Sequence, residues 1–274
     1  MKGSSRPVGL LAAILLGMPV LLGAAADSVD PRLAIKEALS SQFPSITIVD
    51  VQRSPVANLY EVFTGNQIFY SDETGAYLLE GALIDAQSKR NVTVERLDER
   101  NSIHFQALPF QLAIKTIHGD GSRRLAVFSD PDCSHCQKLE KELQSVPNVT
   151  VYTFLLPVAS THPNAAAHAR AIWCSADRSQ AWVQWMLNQK DPDSRPCEGD
   201  PIQSLHALAI EFHVTGTPTL YFQDGKRVSH EISADEMGRM LAASTATQQI
   251  QSAAPPCDAD QQPSASSCRF TATP

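Results

Sequence analysis

The chain has 274 residues, 43% of them hydrophobic and 19% charged, which is enough apolar material for one large or two modest domains and excludes global disorder. Acidic side chains outnumber basic ones, 29 to 22, a balance that speaks against nucleic acid or an anionic membrane as partner.

Lys2 and Arg6 precede an apolar run from Val8 to Leu22, followed by Gly23, Ala24, Ala25 and Ala26. A basic start, an apolar centre and small residues at the cut make 1–26 a secretory signal peptide cleaved before Asp27. The rival is an uncleaved anchor, but a run interrupted by Gly17 and Pro19 falls short of the roughly 20 residues needed to span a bilayer. Cleavage lowers the basic count from 22 to 20 against 29 acids, net −9. Export also predicts that most of the six cysteines are oxidised, unless a dedicated reductant holds one pair reduced.

Asp30-Pro31 gives an N-cap followed by proline at the first helical position, and Leu33, Ile35, Ala38 and Leu39 line a short amphipathic helix. The period then falls to two. Strands are predicted at 46–51, 59–63, 67–70 and 77–84, with Val92-Thr93-Val94 as a last one. This makes an α+β module near the lower size limit for independent stability, so pairing with a second copy would help it. It carries no catalytic constellation and reads as a dimerisation domain over 27–97. Residues 98–109 are charged and helix-compatible up to Leu108-Pro109 and read as a linker helix.

A second domain is expected over 110–243. Leu112–Ile117 alternates as a strand, Leu125–Phe128 is a buried strand, a helix runs from Cys133 to Leu143, and 149–156 is a further strand. Strand, helix and strand of this length form a crossover whose two strands lie parallel. Helices follow at 164–176 and 179–189, where Ile172, Trp173, Trp182 and Trp185 read as core, and at 201–212. Pro218 leads directly into an apolar strand, a place that tolerates its missing donor. A last helix starts after Ser233 and ends near Ala243. The Ala/Ser/Gln/Pro-rich stretch 244–274 is a low-complexity tail. Asn91-Val92-Thr93 and Asn148-Val149-Thr150 read as incidental strand-edge sequences rather than glycan sites.

The chemistry concentrates in Phe128-Ser129-Asp130-Pro131-Asp132-Cys133-Ser134-His135-Cys136. Two cysteines three apart on the first turn of a helix can close into a disulfide, and the helix N-terminus favours a thiolate at Cys133. His135 supplies a further positive or hydrogen-bonding group in the motif. A structural disulfide and a zinc site are the rivals; zinc would need a second close Cys/His pair, which the other cysteines do not make.

The order of that motif, Ala171-Ile172-Trp173-Cys174 and Val214-Thr215-Gly216-Thr217-Pro218 resembles the thioredoxin fold. More closely, 27–243 is similar to the DsbC/DsbG family of periplasmic disulfide isomerases. The resemblance implies a cystatin-like α+β N-terminal dimerisation domain, a linker helix, and an α/β thioredoxin-fold domain with a helical insertion. It implies Cys133 as nucleophile and Cys136 as resolving thiol, with Thr217 and a cis Pro218 binding extended substrate. It also implies a structural disulfide between Cys174 and Cys197; local closure then leaves Cys257 with Cys268 in the tail. The expected partners are mis-oxidised exported proteins, a second copy of the chain, and a membrane thiol reductant of the DsbD type, with no organic cofactor and no metal. The alternatives are a DsbG-like holdase or reductase of sulfenylated cysteines, and a more oxidising dithiol oxidase. Three departures stand out. The tail cysteines have no family counterpart, Ser134-His135 replaces Gly-Tyr, and Val127 occupies the place where thioredoxins bury an acid. Asp130 and Asp132 lie closer to Cys133 and, if desolvated, would oppose its thiolate.

Overall fold

The computed structural model describes residues 30–253 apart from 194. The predicted signal peptide and the tail cysteines Cys257 and Cys268 lie outside the described residues.

Helix α1 (Pro31–Gln42) starts as its sequence requires: the Asp30 side chain accepts the Arg32 N–H, and Pro31 occupies the first turn, where no donor is needed. Its Ile35 and Leu39 pack on Val51, Tyr60 and Val62 of a four-stranded antiparallel meander. The strands are β1 (Asp50–Arg53), β2 (Leu59–Phe63), β3 (Ile68–Asp72) and β4 (Leu78–Glu80), in that spatial order. The predicted strand 77–84 shrinks to three residues, beyond which Ile84 makes a lone bridge to Asn91.

Val92-Thr93-Val94 is not a strand but the first turn of α2 (Val92–Arg100). β-branched residues favour strands only weakly, and here local capping wins. Asn91 accepts the Val94 N–H at 3.1 Å, so it caps this helix as well as bridging to Ile84. The Thr93 hydroxyl meets Tyr70 at 2.5 Å and accepts the Leu83 N–H at 2.7 Å. Phe63, Ile68 and Tyr70 on the sheet's other face pack with Leu97 of α2. The linker helix therefore begins earlier than expected, and 101–109 runs on as extended chain with a 3-10 turn at Phe105–Ala107. Ile103 donates its N–H to the Gly225 carbonyl at 3.1 Å. Gly225 has φ +87°, and a Cβ there would fall 2.0 Å from the Ile103 oxygen, so only glycine fits.

The second unit is a five-stranded sheet in the order β5-β7-β6-β8-β9, where β5 is Ile114–His118, β6 Arg123–Ser129, β7 Val149–Leu155, β8 Thr219–Phe222 and β9 Arg227–Val228. β6 and β7 are parallel, as the crossover through α3 (Ser134–Leu143) requires, and the other pairings are antiparallel. Both faces are covered, which is why β6 is apolar at every residue from Leu125 to Phe128. Ala126 and Phe128 face a core with Phe154, Trp182 and Tyr221 beneath the insertion helices α4 (Ala165–Trp173), α5 (Arg178–Asn188) and α6 (Ile202–Glu211). Leu125 and Val127 face the opposite core, with Leu139 of α3 and Met237 and Leu241 of α7 (Ala234–Ala253). Val127 is thus plain core. The last helix extends ten residues past the predicted end, through the first part of the segment read as a low-complexity tail.

Candidate active site

Strand β6 ends at Ser129, and the turn Asp130-Pro131-Asp132 delivers Cys133 as the N-cap residue of α3. Cys133 donates its N–H to the Asp130 carbonyl at 3.3 Å, and its own carbonyl accepts from Gln137 at 3.0 Å. Both thiols are unbonded and buried, Cys133 at 6% exposure and Cys136 at 1%. The Thr217 carbonyl lies 3.5 Å from the Cys133 sulfur, and the Thr217–Pro218 bond is cis. The site therefore joins the ends of β6, the start of α3 and the loop before β8.

The two sulfurs titrate apart. A hydrogen bond from the Cys136 side chain draws the Cys133 pKa down to about 5 against the opposing effect of burial, helped by the Cys136 backbone N–H, the Thr217 side chain and the His135 backbone N–H. Burial pushes Cys136 far above the ordinary thiol range, and its bond to Cys133 adds to the rise. One sulfur is an anion at neutral pH while the other keeps its proton, the division of labour that thiol–disulfide exchange needs.

His135 contributes differently from the sequence expectation. Its imidazole is turned to Glu231, 2.7 Å away, with Lys138 3.8 Å from the same carboxylate. That hydrogen bond holds Glu231 below the usual carboxylate range. What His135 gives Cys133 is its backbone N–H.

Asp130 and Asp132 are each answered by a histidine. Asp130 is fully buried; it accepts the N–H groups of Asp132 at 2.7 Å and Val158 at 2.6 Å and pairs with His162 Nδ1 at 3.0 Å. Asp132 pairs with His168 Nδ1 at 2.7 Å. The His168 ring packs 4.1 Å from that of Trp185, whose indole N–H donates to the Pro131 carbonyl at 2.9 Å. Trp182 is core, as read from the sequence, and also donates to the buried Glu140 at 3.0 Å. These histidine, Trp185 and Glu231 contacts have no signature in the sequence, because each joins segments far apart in the chain. Cys174 and Cys197 are bonded to each other within the insertion. Among the described residues, no three His, Cys, Asp or Glu side chains converge as a metal site.

Residues 23–94 match the disulfide bond isomerase protein N-terminal domain, and 110–245 match a thioredoxin-like domain. Over 217 residues the chain is 39% identical to the probable thiol:disulfide interchange protein DsbC of Bordetella pertussis, covering 79% of this chain and 76% of that protein. The chain belongs to the DsbC family. The DsbC of Dickeya dadantii is 31% identical over 218 residues, covering 78% of this chain and 88% of that one. A disulfide interchange protein of Neisseria gonorrhoeae is similar at 37% identity over 50% of this chain and 98% of that one, with a TM-score of 0.48. As a DsbC-type protein the chain is a thiol:disulfide interchange enzyme, a disulfide isomerase with an isomerase-type N-terminal domain and a thioredoxin-fold domain. These likenesses do not favour the holdase or oxidase alternatives.

Proposed function

We propose that this DsbC-type isomerase works in the periplasm on mis-oxidised exported proteins, with Cys133 as nucleophile and Cys136 as resolving thiol. What supports this reading is the pair of free thiols at the start of α3, with the Cys133 sulfur 3.5 Å from the Thr217 carbonyl, and their environments draw Cys133 down and push Cys136 up in pKa. The Cys133 thiolate attacks a client disulfide; a bond forms between Cys133 and one client sulfur, and the other client sulfur leaves as a thiolate. That thiolate then attacks another disulfide, which rearranges the client with no net change in oxidation. Alternatively, Cys136 gives up its proton and displaces the client sulfur, so the client leaves reduced by two electrons and the enzyme holds a Cys133–Cys136 disulfide. A membrane thiol reductant of the DsbD type would restore the dithiol. Thr217 and Pro218 line the path of an extended client segment.

The division proposed with this reading is a dimerisation domain (27–97), a linker (98–109), a catalytic domain (110–243) and a tail (244–274), after a signal peptide (1–26) that exports the chain; α2 (Val92–Arg100) crosses the first of these boundaries and α7 (Ala234–Ala253) the last. β4 is a three-residue edge strand with Leu79 exposed on it and Tyr77 and Ile84 exposed beside it. A strand this short blunts edge pairing, but the exposed apolar side chains beside it offer a surface that a second copy could cover, which would set two Cys133 sites on one client.

Refolding of scrambled ribonuclease tests the reading: the wild type restores activity and Cys133→Ala does not. Full activity in Cys133→Ala would overturn it. Acid-quenched alkylation in cells should find Cys133 and Cys136 mostly reduced; a mostly oxidised pair would point to an oxidase instead.

A further inference from the structure

The Asp130–His162 pair raises a question that the exchange mechanism leaves unanswered. A carboxylate buried three residues before the nucleophilic sulfur should make that sulfur harder to ionise. We propose that His162 is a positioning residue whose positive charge offsets the buried Asp130 carboxylate and so keeps the Cys133 sulfur anionic. The inference rests on the assignment of Cys133 as nucleophile and adds an electrostatic partner to it.

The geometry supports it. Asp130 is fully buried, and both its oxygens are engaged: one by the Asp132 N–H, the other by the Val158 N–H and His162 Nδ1. The backbone bonds tie the carboxylate to the turn and to the chain after β7, but they do not cancel its charge. Only His162 can. His162 sits between β7 and α4 with 28% of its side chain exposed, so it can exchange its proton with solvent. The charged and titratable groups facing it are Asp130, Asp132 and Cys133. Asp132 is in turn paired with His168 on α4, and this leaves His162 to Asp130. The hydrogen bond to Asp130 raises the His162 pKa, with smaller contributions in the same direction from the charges of Asp130, Cys133 and Asp132 and a downward effect of burial. Interaction energy between two titrating groups is mutual, so a cation favoured by the Cys133 thiolate favours that thiolate equally.

The sign follows. While His162 carries its proton, the Asp130 charge is offset and Cys133 ionises at low pH. Once His162 loses its proton, the buried carboxylate is unopposed and ionisation of Cys133 is penalised.

The test follows Cys133 in the reduced full-length protein, using the pH dependence of its carboxamidomethylation by iodoacetamide, read by mass spectrometry of the Cys133 peptide. His162→Gln, which can still hydrogen-bond but carries no charge, should shift the midpoint upward, a roughly tenfold loss of thiolate below the midpoint. His162→Arg should restore the wild-type midpoint, because it returns the charge. Asp130→Asn combined with His162→Gln should bring the midpoint back down from the His162→Gln value, because no buried charge then needs an offset, although Asn cannot keep both backbone bonds that Asp130 accepts; the two changes are non-additive. Coincident wild-type and His162→Gln profiles would overturn the proposal, as would an upward shift that neither restoring variant reverses. A wild-type Cys133 that titrates like a free thiol would instead overturn the nucleophile assignment itself, and this proposal with it.

Discussion

The low pKa of Cys133 makes a sharp kinetic prediction, and the place to look for it is the pH profile rather than the rate at neutrality. At pH 7 a thiol titrating at about 5 is about 99% ionised, against about 3% for one at about 8.5. Intrinsic nucleophilicity falls with pKa, however, with a Brønsted slope of about 0.4–0.5, so the more acidic thiolate is roughly 40-fold weaker. The two effects nearly cancel at pH 7. At pH 5 they do not: half of Cys133 is still ionised, and it should exchange about 40-fold faster than an ordinary thiol. Cys136→Ala removes the hydrogen bond that contributes most to the lowering. A hydrogen bond to a charged group is worth about 1.5–3 kcal/mol, and one pKa unit is about 1.4 kcal/mol, so the midpoint should rise by about 1–2 units. Cys136→Ser keeps a donor and should stay near the wild type. The measurement is loss of the free Cys133 thiol to a small aliphatic disulfide between pH 3 and 9, acid-quenched and read by mass spectrometry. Equal midpoints in the wild type and Cys136→Ala would show that the neighbouring sulfur is not what stabilises the anion.

Four further outcomes follow from the same structure. The depressed Cys133 pKa stabilises the reduced native state above the ordinary thiol pKa and loses that contribution as pH falls toward about 5; thermal melts of reduced against oxidised protein should move in favour of the reduced form as pH rises over that window. Burial raises the Glu140 pKa although Trp182 and Gln144 bond to it. Stability tied to its neutral form is therefore lost as pH rises through the folded pKa, and Glu140→Gln should stabilise the protein more at pH 8 than at pH 4 in urea titrations. Asp98 and Arg227 form a buried ion pair at 3.0 Å between α2 and β9. Asp98→Ala should cost about 3–5 kcal/mol in the same assay, and replacing both partners with Met or Leu should cost far less. Removing the Cys174–Cys197 bridge, which closes a sequence separation of 23, should cost about 3 kcal/mol while leaving the Cys133 pH profile in place.

Much of the fold was legible because its signals are local. Asp30-Pro31 marks a helix start by capping and lost-donor logic, and α1 begins there. The all-apolar Leu125–Phe128 marks a strand buried on two faces, and it is the central β6. Val92-Thr93-Val94 misled because β-branched propensity is weak against a good cap, and Asn91 supplies one. The final helix ran on because nothing in Ser244–Ala253 breaks a helix: the first Pro after it is Pro255.

The active site divides along the same line. Cys133, Cys136 and Thr217-Pro218 stand in short motifs, so their types and spacing single them out as candidates. The electrostatics of the site do not. His162 is 32 residues from Asp130, and His168 is 36 from Asp132, both pairs brought together only when α4 and the loop before it pack on the active-site turn. Sequence alone shows two acids crowding a thiolate, which reads as a liability. In the folded chain the Asp130 carboxylate instead binds the N–H groups of Asp132 and Val158, a clamp that holds the turn presenting Cys133. A neutral side chain such as Asn could accept one such bond through its carbonyl oxygen, but not one on each terminal atom. The acid therefore shapes the turn at the cost of a buried charge, and a protonated His162 paired with that carboxylate lets shape and thiolate coexist.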